Sequence, residues 1–349
     1  MTKRKGAGAD LTKQQFVLEQ IRDQIVDGRY PPGSRLPLRT DMETIYGVSW
    51  FTLHRVFEQL TGEGFVHSRG RGGTYVCDHP PHLSFYAVVA PRTIPDDQRQ
   101  VLQNVLDKLQ DGRHGKTARL FLVDPSPDND DHRDLLTRLE NHTVAGLVLL
   151  DGTDKWLARD LACHPRVPRI TPSCKPDDAL AVVVDRDWPA FLDRGCKALK
   201  LAGCNRVGLL SPEDYLEASL ESLPQSAARH SLTGRAEWVL VSPESYPDYA
   251  ARATSLLMSL PEASRPDGLM LGCAGLSDPV YRLLAERGLS GRVHLVVQSD
   301  TTDHIEPRDG LTRILFDPYD LMYRCFDAID RLRAGQDVPK YVTVPPRGD

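Results

Sequence analysis

Residues 31–76 read PPGSRLPLRTDMETIYGVSWFTLHRVFEQLTGEGFVHSRGRGGTYV, and this stretch determines how the first part of the chain folds. The pattern predicts a short helix over 38–46, a tight turn, a second helix from Trp50 to about Thr61, and a glycine- and arginine-rich hairpin. Ser49 is placed to cap the second helix, because its hydroxyl accepts from the unpaired N–H groups of the first turn. This order of elements is that of a winged helix-turn-helix, whose second helix is sized for the DNA major groove.

A longer amphipathic helix precedes this stretch, over residues 12–28. Val17, Ile21 and Ile25 recur at four-residue intervals and therefore share one face. A glycine and the following Pro-Pro pair end the helix. We therefore expect a three-helix head with a two-stranded wing, and we assign residues 1–78 to it.

Six landmarks of the head, in this order, resemble the GntR family of bacterial transcription regulators. They are the PPG turn, the Leu-Pro step, Gly-Val-Ser, a leucine, Glu-Gly and the wing, at residues 31–33, 36–37, 47–49, 60, 63–64 and 69–76. The resemblance implies that the head binds double-stranded DNA. The chain also departs from the family, whose members usually carry arginines at the positions of Thr40, Trp50 and His54.

We expect the DNA contacts to come from the starts of the two short helices and from the wing. The candidates are Arg39, Thr40, Ser49, Trp50, Thr52, His54, Arg55, Arg69, Arg71 and Gly72. A tryptophan contacts a thymine methyl or a sugar edge but does not pair with guanine through two hydrogen bonds, so the operator should differ from those of relatives. In the alternative interpretation, Trp50 packs between the helices.

Charge is distributed in the direction that a DNA-binding head requires, but the difference is small. Residues 1–80 hold 11 Lys and Arg against 9 Asp and Glu, which leaves 32 against 39 in the rest of the chain. A head with so small an excess of positive charge offers few phosphate contacts, so we expect two heads to act together in a homodimer.

The cysteine pattern and the hydropathy pattern exclude several classes of protein. The seven cysteines are scattered and form no CxxC pair, which argues against a zinc site and a disulfide framework. No apolar run approaches the about 18 residues of a membrane span, and the charged N-terminus does not resemble a secretory signal. We therefore expect a cytoplasmic protein with no metal and no membrane partner.

Apolar strands and amphipathic helices alternate after a short linker at 79–84. Strands are predicted at 85–89, 118–123, 145–150, 167–170, 180–184, 206–210, 237–241, 268–271 and 293–297, and helices at 97–110, 132–141, 188–202, 248–260, 278–287 and 319–334. Continuous apolar strands separated by helices predict parallel sheets covered on both faces. Residues 85–349 are too many for a single hydrophobic core, so we expect an α/β fold in which they form two lobes.

Residues 84–346 resemble the effector-binding part of the LacI/GalR regulators, which share the two-lobed fold of periplasmic sugar-binding proteins. The order and spacing of short segments carry the resemblance, at 144–150, 167–170, 182–185, 187–188, 201–210, 266–270, 285–288, 296–300 and 311–314. It implies a small, carbohydrate-like effector in a crevice between the lobes. It also implies that the chain passes between lobes near Arg186, Leu240 and Phe316.

Ligands of such folds bind where the carboxyl ends of strands face the crevice. The effector-binding candidates are Arg92, Asp151, Asp185, Arg186, Cys273, Asp300 and Asp317. Asp300 matches an acidic residue that sugar-responsive relatives use on ligand hydroxyls, whereas Cys273 replaces their asparagine. Their ligand-clamping arginine has no clear match, and Tyr215 is nearest, so an ordinary hexose is not favoured. Alternatively, each carboxylate is a solvated loop or cap residue.

The sequence offers no support for an enzyme. Asp151-Gly-Thr resembles part of a phosphatase motif, but the position of the nucleophile holds Leu149. Neither a dinucleotide fingerprint nor a P-loop occurs, and we predict no catalytic residue and no cofactor. The favoured interpretation is a ligand-responsive transcription regulator, a repressor that a small molecule releases or modulates. The alternative is a ligand-binding module whose head has lost sequence-specific DNA binding.

Overall fold

The structure is a computed structural model that describes residues 13–112, 115–126, 129–150, 152–172, 181–241 and 247–348. The chain divides into two compact units. The first comprises residues 1–169 with 329–337, and the second comprises residues 170–328 with 338–349. The α/β architecture expected from the sequence is confirmed.

The first unit begins with the three helices and the hairpin of the predicted head. Their bounds are α1 Lys13–Val26, α2 Arg39–Tyr46, α3 Trp50–Gly62, β1 Val66–Ser68 and β2 Thr74–Val76. Ser49 caps α3, since its Oγ accepts from the Thr52 backbone N–H at 3.3 Å. Gly47 ends α2 with φ 61°, a left-handed conformation that costs glycine little. Ile21, Leu53 and their neighbours pack into one fully buried core, which fixes the orientation of α3.

The rest of the first unit is a parallel α/β segment. Its elements are α4 Pro81–Ser84, β3 Phe85–Pro91, α5 Asp96–Gly112, β4 Thr117–Val123, α6 Asp130–Glu140, β5 Gly146–Leu149 and α7 Thr153–Leu161. The strands lie side by side in the order β5-β3-β4. A Cβ at Gly146 would lie 2.6 Å from the Ile329 side chain, so only glycine allows this close packing. The predicted linker at 79–84 contains the helical turn α4.

The second unit contains two sets of parallel strands. The first set has the order β13-β7-β6 and the second has the order β12-β11-β10-β8-β9. Their bounds are β6 Arg169–Thr171, β7 Val182–Arg186, β8 Arg206–Ser211, β9 Thr233–Val241, β10 Gly268–Leu271, β11 His294–Asp300, β12 Leu311–Phe316 and β13 Tyr341–Val344. The helices are α8 Trp188–Leu201, α9 Leu216–Arg229, α10 Pro247–Met258, α11 Ser277–Glu286 and α12 Pro318–Arg333.

The path of the chain between these sets differs from expectation at one place. Strands β8, β9 and β10 all belong to the five-stranded set, so the expected passage near Leu240 is wrong. The chain leaves that set after Phe316, forms β13 beside β7, and then returns, because the Arg347 backbone N–H donates to the Leu315 carbonyl at 2.7 Å.

Five elements were not expected from the sequence, and one of them is α4 within the predicted linker. Helix α9 carries Pro224 in its interior, a residue that usually predicts the end of a helix. Helix α7 is short, with nine residues, and β12 and β13 are partly exposed, with weak apolar runs. The remaining helices and strands lie at the predicted positions, with ends that differ by a few residues.

Candidate DNA interface and effector site

The start of α3 presents two exposed aromatic side chains. Trp50 is 54% and Phe51 is 55% exposed. The Trp50 ring stacks on the His54 ring, with 4.9 Å between centroids and 15° between planes. Trp50 therefore lies on the outside of the head, and the alternative in which it packs between the helices does not hold.

Two arginines lie beside these rings. The Arg39 guanidinium comes from the start of α2, lies 5.1 Å from the centre of the Phe57 ring, and approaches His54 Nδ1 at 3.4 Å through Nη1. Arg55 lies 4.5 Å from the centre of the Phe51 ring. Cation–π contacts of this kind hold a long cationic side chain near one position.

The wing carries a third arginine with the same kind of support. Arg69 donates from Nε to His67 Nε2 at 3.0 Å, and its guanidinium lies 4.5 Å from the centre of the Tyr75 ring. Gly72 forms the turn, since its N–H donates to the Arg69 carbonyl at 3.0 Å. The side chain of Arg71 lies outside the described part of the structure. We call the group Arg39, Trp50, Phe51, His54, Arg55 and Arg69 the DNA face.

The small polar candidates have local structural roles. Ser49 and Thr52 share a hydrogen bond between their hydroxyls at 3.1 Å, next to the cap of α3. Thr40 is exposed, and its carbonyl accepts from the Thr44 hydroxyl at 3.1 Å. These residues shape the start of the two helices, whereas the cations of the DNA face come from the three arginines.

A second charged group lies in the second unit, where β7 and β11 end. Arg186 donates from Nη2 to both carboxylate oxygens of Asp300, at 2.9 and 2.7 Å. Their side chains are 25% and 21% exposed. Burial lowers the pKa of Arg186, but Asp300, together with Tyr215 and Asp185, raises it by more, so the guanidinium stays charged.

The neighbouring Asp185 is also paired. Its carboxylate accepts from the Tyr215 hydroxyl and, at 2.7 Å, from the Arg186 backbone N–H. Burial raises the pKa of Asp185, and the Tyr215 hydrogen bond offsets only part of that shift. Tyr215 stacks on Trp188, with 4.4 Å between ring centroids. We call Asp185, Arg186, Tyr215 and Asp300 the strand-end cluster.

Gln298 adjoins this cluster from inside β11. In the amide orientation that satisfies both ends, it donates to the Gly272 carbonyl at 2.8 Å and accepts from Arg186 Nε at 3.3 Å. Sequence reasoning missed Gln298 and Trp188. A signal for Gln298 existed, because a residue two positions before Asp300 on a strand points to the same face of the sheet.

The remaining effector-binding candidates lie outside this cluster. Asp317 pairs with Arg347 at 2.9 Å, and Arg92, in the first unit, lies 3.6 Å from Asp124. Cys273 is half-buried against the apolar core of the second unit, and Asp151 lies outside the described residues. The structure thus brings together three of the seven predicted effector residues.

Helix α1 of the head contacts the turn after α6 within the first unit. Arg22 is nearly buried, donates to both Glu63 carboxylate oxygens at 2.8 and 2.7 Å, and also donates to Asn141 Oδ1 at 3.1 Å. Asp23 lies 3.6 Å from His142. The head is therefore attached to the following α/β segment by polar side chains as well as by the chain itself.

His82 lies at the same junction. Its ring stacks on Phe65, with 5.8 Å between centroids. Burial, with contributions from Arg333 and His142, lowers the pKa of His82 to about 4. His82 is therefore neutral at pH 7.

The described residues contain neither a metal-ligating cluster nor a membrane-spanning helix. No group of three or more His, Cys, Asp or Glu side chains in that part of the chain is arranged to hold a metal ion. The helices described are too short or too polar to cross a membrane.

Residues 13–76 match the family model of bacterial regulatory proteins, gntR family. Over 117 residues the chain is 29% identical to the uncharacterized HTH-type transcriptional regulator YdcR of Escherichia coli. This match covers 34% of this chain and 25% of that protein. Over 60 residues it is 35% identical to the mannosyl-D-glycerate transport/metabolism system repressor MngR of Escherichia coli. That match covers 17% of this chain and 25% of that protein. The chain thus matches about a quarter of the length of each of these relatives.

Solved structures resemble a larger part of the chain. A LacI family transcriptional regulator from Enterococcus faecium with bound ribose matches 76% of this chain and 96% of its own, with a TM-score of 0.54 and 18% identity. A dimeric Lac repressor with an 11-residue C-terminal deletion matches 75% of this chain and 95% of its own chain, with a TM-score of 0.56 and 15% identity. These likenesses confirm the fold expected for the region after the head.

Proposed function

We propose that the chain is a ligand-responsive DNA-binding transcription regulator that acts as a repressor. The DNA face carries the proposal. Three arginines lie on the recognition helix, its neighbour and the wing of a winged helix-turn-helix, each held by an aromatic ring. The match of residues 13–76 to a family of regulatory proteins supports the same function.

The effector in this proposal is a small polyhydroxylated molecule bound at the strand-end cluster. Carboxylates and a guanidinium at strand ends are the groups that fix the hydroxyls of such ligands. Binding at Asp300 displaces Arg186 from it, so ligand binding and the arrangement of these strands are coupled. A coupling of about 1–3 kcal/mol between effector and DNA is typical of regulators and acts reciprocally.

The regulator acts as a homodimer in this proposal. A single head with a small excess of positive charge makes few phosphate contacts, and two heads add theirs on one operator. The resemblance to a dimeric repressor supports this arrangement. Sedimentation of the full chain at micromolar concentration should give a dimer, and a monomer both alone and on DNA would contradict the two-head model.

The decisive experiment combines DNA selection with effector titration. Purified full-length protein is used to select duplexes from a random library, and affinity for the selected duplex is then measured with and without sugars, polyols and sugar acids. A thermal-shift screen identifies the effectors, because a ligand of the folded state raises the melting temperature. The proposal expects a selected sequence whose affinity changes when an effector is added.

The second candidate is a ligand-binding module without sequence-specific DNA binding. The substitutions at Thr40, Trp50 and His54 favour it, since arginine is absent from these three positions. In that case the selection would return no consensus, while the thermal-shift screen would still find a ligand.

A further inference from the structure

Arg39 is held against the recognition helix from a neighbouring helix. Its guanidinium lies over the ring of Phe57, which is 2% exposed and therefore fixed by the core of the head. Its Nη1 lies 3.4 Å from Nδ1 of His54. Both contacts order the side chain before DNA arrives, which reduces the entropy that binding would otherwise cost.

The donors that remain on Arg39 suit a base. A guanidinium has five N–H donors and no acceptor. Among the described residues, Arg39 donates only to His54, through Nη1. Nε and Nη2 can then donate in parallel, and two parallel N–H donors match O6 and N7 of guanine in the major groove.

Both ring nitrogens of His54 and one face of its ring contact neighbouring side chains. Arginine is always a donor, so Nδ1 of His54 accepts from Arg39 and the proton lies on Nε2. Nε2 faces Glu58 at 3.4 Å, and Trp50 stacks on the ring. His54 therefore has its ring nitrogens directed at protein groups rather than at a base.

We infer that Arg39 is a specificity-determining residue for one G·C base pair in the site of each head, and that His54 is its positioning residue. The inference rests on the proposed function, because it requires that the head binds DNA. Arg39 thus supplies a base-specific cation from the start of α2, beside a recognition helix that begins with Trp50.

The test uses the full chain and the duplex selected by it. Affinity is measured by fluorescence anisotropy for that duplex and for copies in which each G·C pair in turn is replaced by A·T. For wild type, one replacement per head should weaken binding by roughly five- to 150-fold, the range of a bidentate arginine–guanine contact. Arg39→Ala should abolish this preference, and Arg29→Ala, a control at an exposed arginine of the same head outside the DNA face, should retain it.

His54 is tested at the same base pair. His54→Ala should reduce the preference there, and His54→Gln, which keeps an acceptor for Arg39, should restore much of it. Adding His54→Ala to Arg39→Ala should change nothing further, since both act through one side chain. Thermal melting of each variant shows whether it has folded, and His54→Gln gives the comparison if His54→Ala does not fold.

Three results would overturn the inference, and they are distinguishable. If Arg39→Ala weakens all duplexes equally, Arg39 contacts phosphate only. If His54→Ala changes the preference at a different base pair, His54 contacts DNA itself. If wild type selects no sequence, the proposed function fails and this inference fails with it, whereas in the first two cases specific binding persists.

Discussion

The DNA face and the strand-end cluster hold their charged groups in different ways. On the DNA face each described arginine lies on a ring, and no carboxylate in the described part of the chain pairs with its guanidinium. In the strand-end cluster Arg186 donates to the Asp300 carboxylate from both Nε and Nη2, and the Asp185 carboxylate accepts from the Tyr215 hydroxyl. The first surface is ready for a polyanion without rearrangement. In the proposed function, an effector replaces the Arg186–Asp300 ion pair, so its binding rearranges the strand-end cluster.

The largest expected effect is that of pH, because His82 in the first unit and Asp185 in the second contribute to stability with opposite sign as the pH falls. The folded-state pKa of His82 is lowered to about 4, so the unfolded chain binds the proton first as pH falls from neutrality. Between pH 7 and pH 4 the first unit should therefore lose about 3 kcal/mol of stability. The pKa of Asp185 is raised, so its protonation on acidification favours the folded second unit.

Urea unfolding at pH 7 and pH 4.5, followed separately in each unit by hydrogen exchange, checks this prediction. His82→Phe should remove much of the acid sensitivity of the first unit, and Asp185→Asn should remove the acid-linked gain of the second. If His82→Phe leaves the acid sensitivity of the first unit unchanged, other groups cause it.

The second prediction compares the stability cost of losing an arginine in each region. Arg186→Met leaves Asp300 without its partner and should cost about 2 kcal/mol, less than the ~3–5 kcal/mol of a fully buried pair because both side chains are partly exposed. Arg69→Ala, on the DNA face, should change stability by less than about 0.5 kcal/mol. Urea denaturation of both variants measures this. Equal losses of stability in the two variants would mean that the Arg186–Asp300 ion pair stabilises the fold no more than an unpaired arginine of the DNA face does.

The fold of the head and the location of the strand-end cluster could be predicted from the sequence, because both depend on local sequence patterns. The cap at Ser49, the turn at Gly47 and the apolar spacing of α1 and α3 predicted the head. The rule that ligands face the ends of parallel strands singled out Asp185, Arg186 and Asp300.

The sequence did not show which charged side chains pair with each other. Arg186 and Asp300 are 114 residues apart, and no local pattern shows that one carboxylate is engaged by that guanidinium. For the same reason Asp317, chosen by the same rule, is paired with Arg347 instead. Helix α9 was missed because tertiary packing tolerates Pro224 within it.

The third prediction concerns the effector. Asp300→Ala should weaken binding of the effector found in the thermal-shift screen by about ten- to a hundredfold, because a hydroxyl loses a charged acceptor. Asp317→Ala is the matched control, since it also removes a paired carboxylate at a strand end, and it should bind as wild type does. DNA binding without effector should stay near normal in both. Wild-type affinity in Asp300→Ala would place the effector elsewhere.

The smallest expected effect is on the salt dependence of DNA binding, and it tests whether the wing cations meet phosphate. Arg69→Ala combined with Arg71→Ala should weaken binding to all duplexes alike, by about 1 kcal/mol for each contact, and should reduce the slope of log K against log salt by about 1 per contact. Arg29→Ala is the control, because Arg29 is an exposed arginine of the same head that follows α1 rather than lying on the wing. It should leave the slope unchanged. An unaltered slope in the wing double variant would remove the wing from the DNA face and would leave Arg39 and Arg55 as its only described cations.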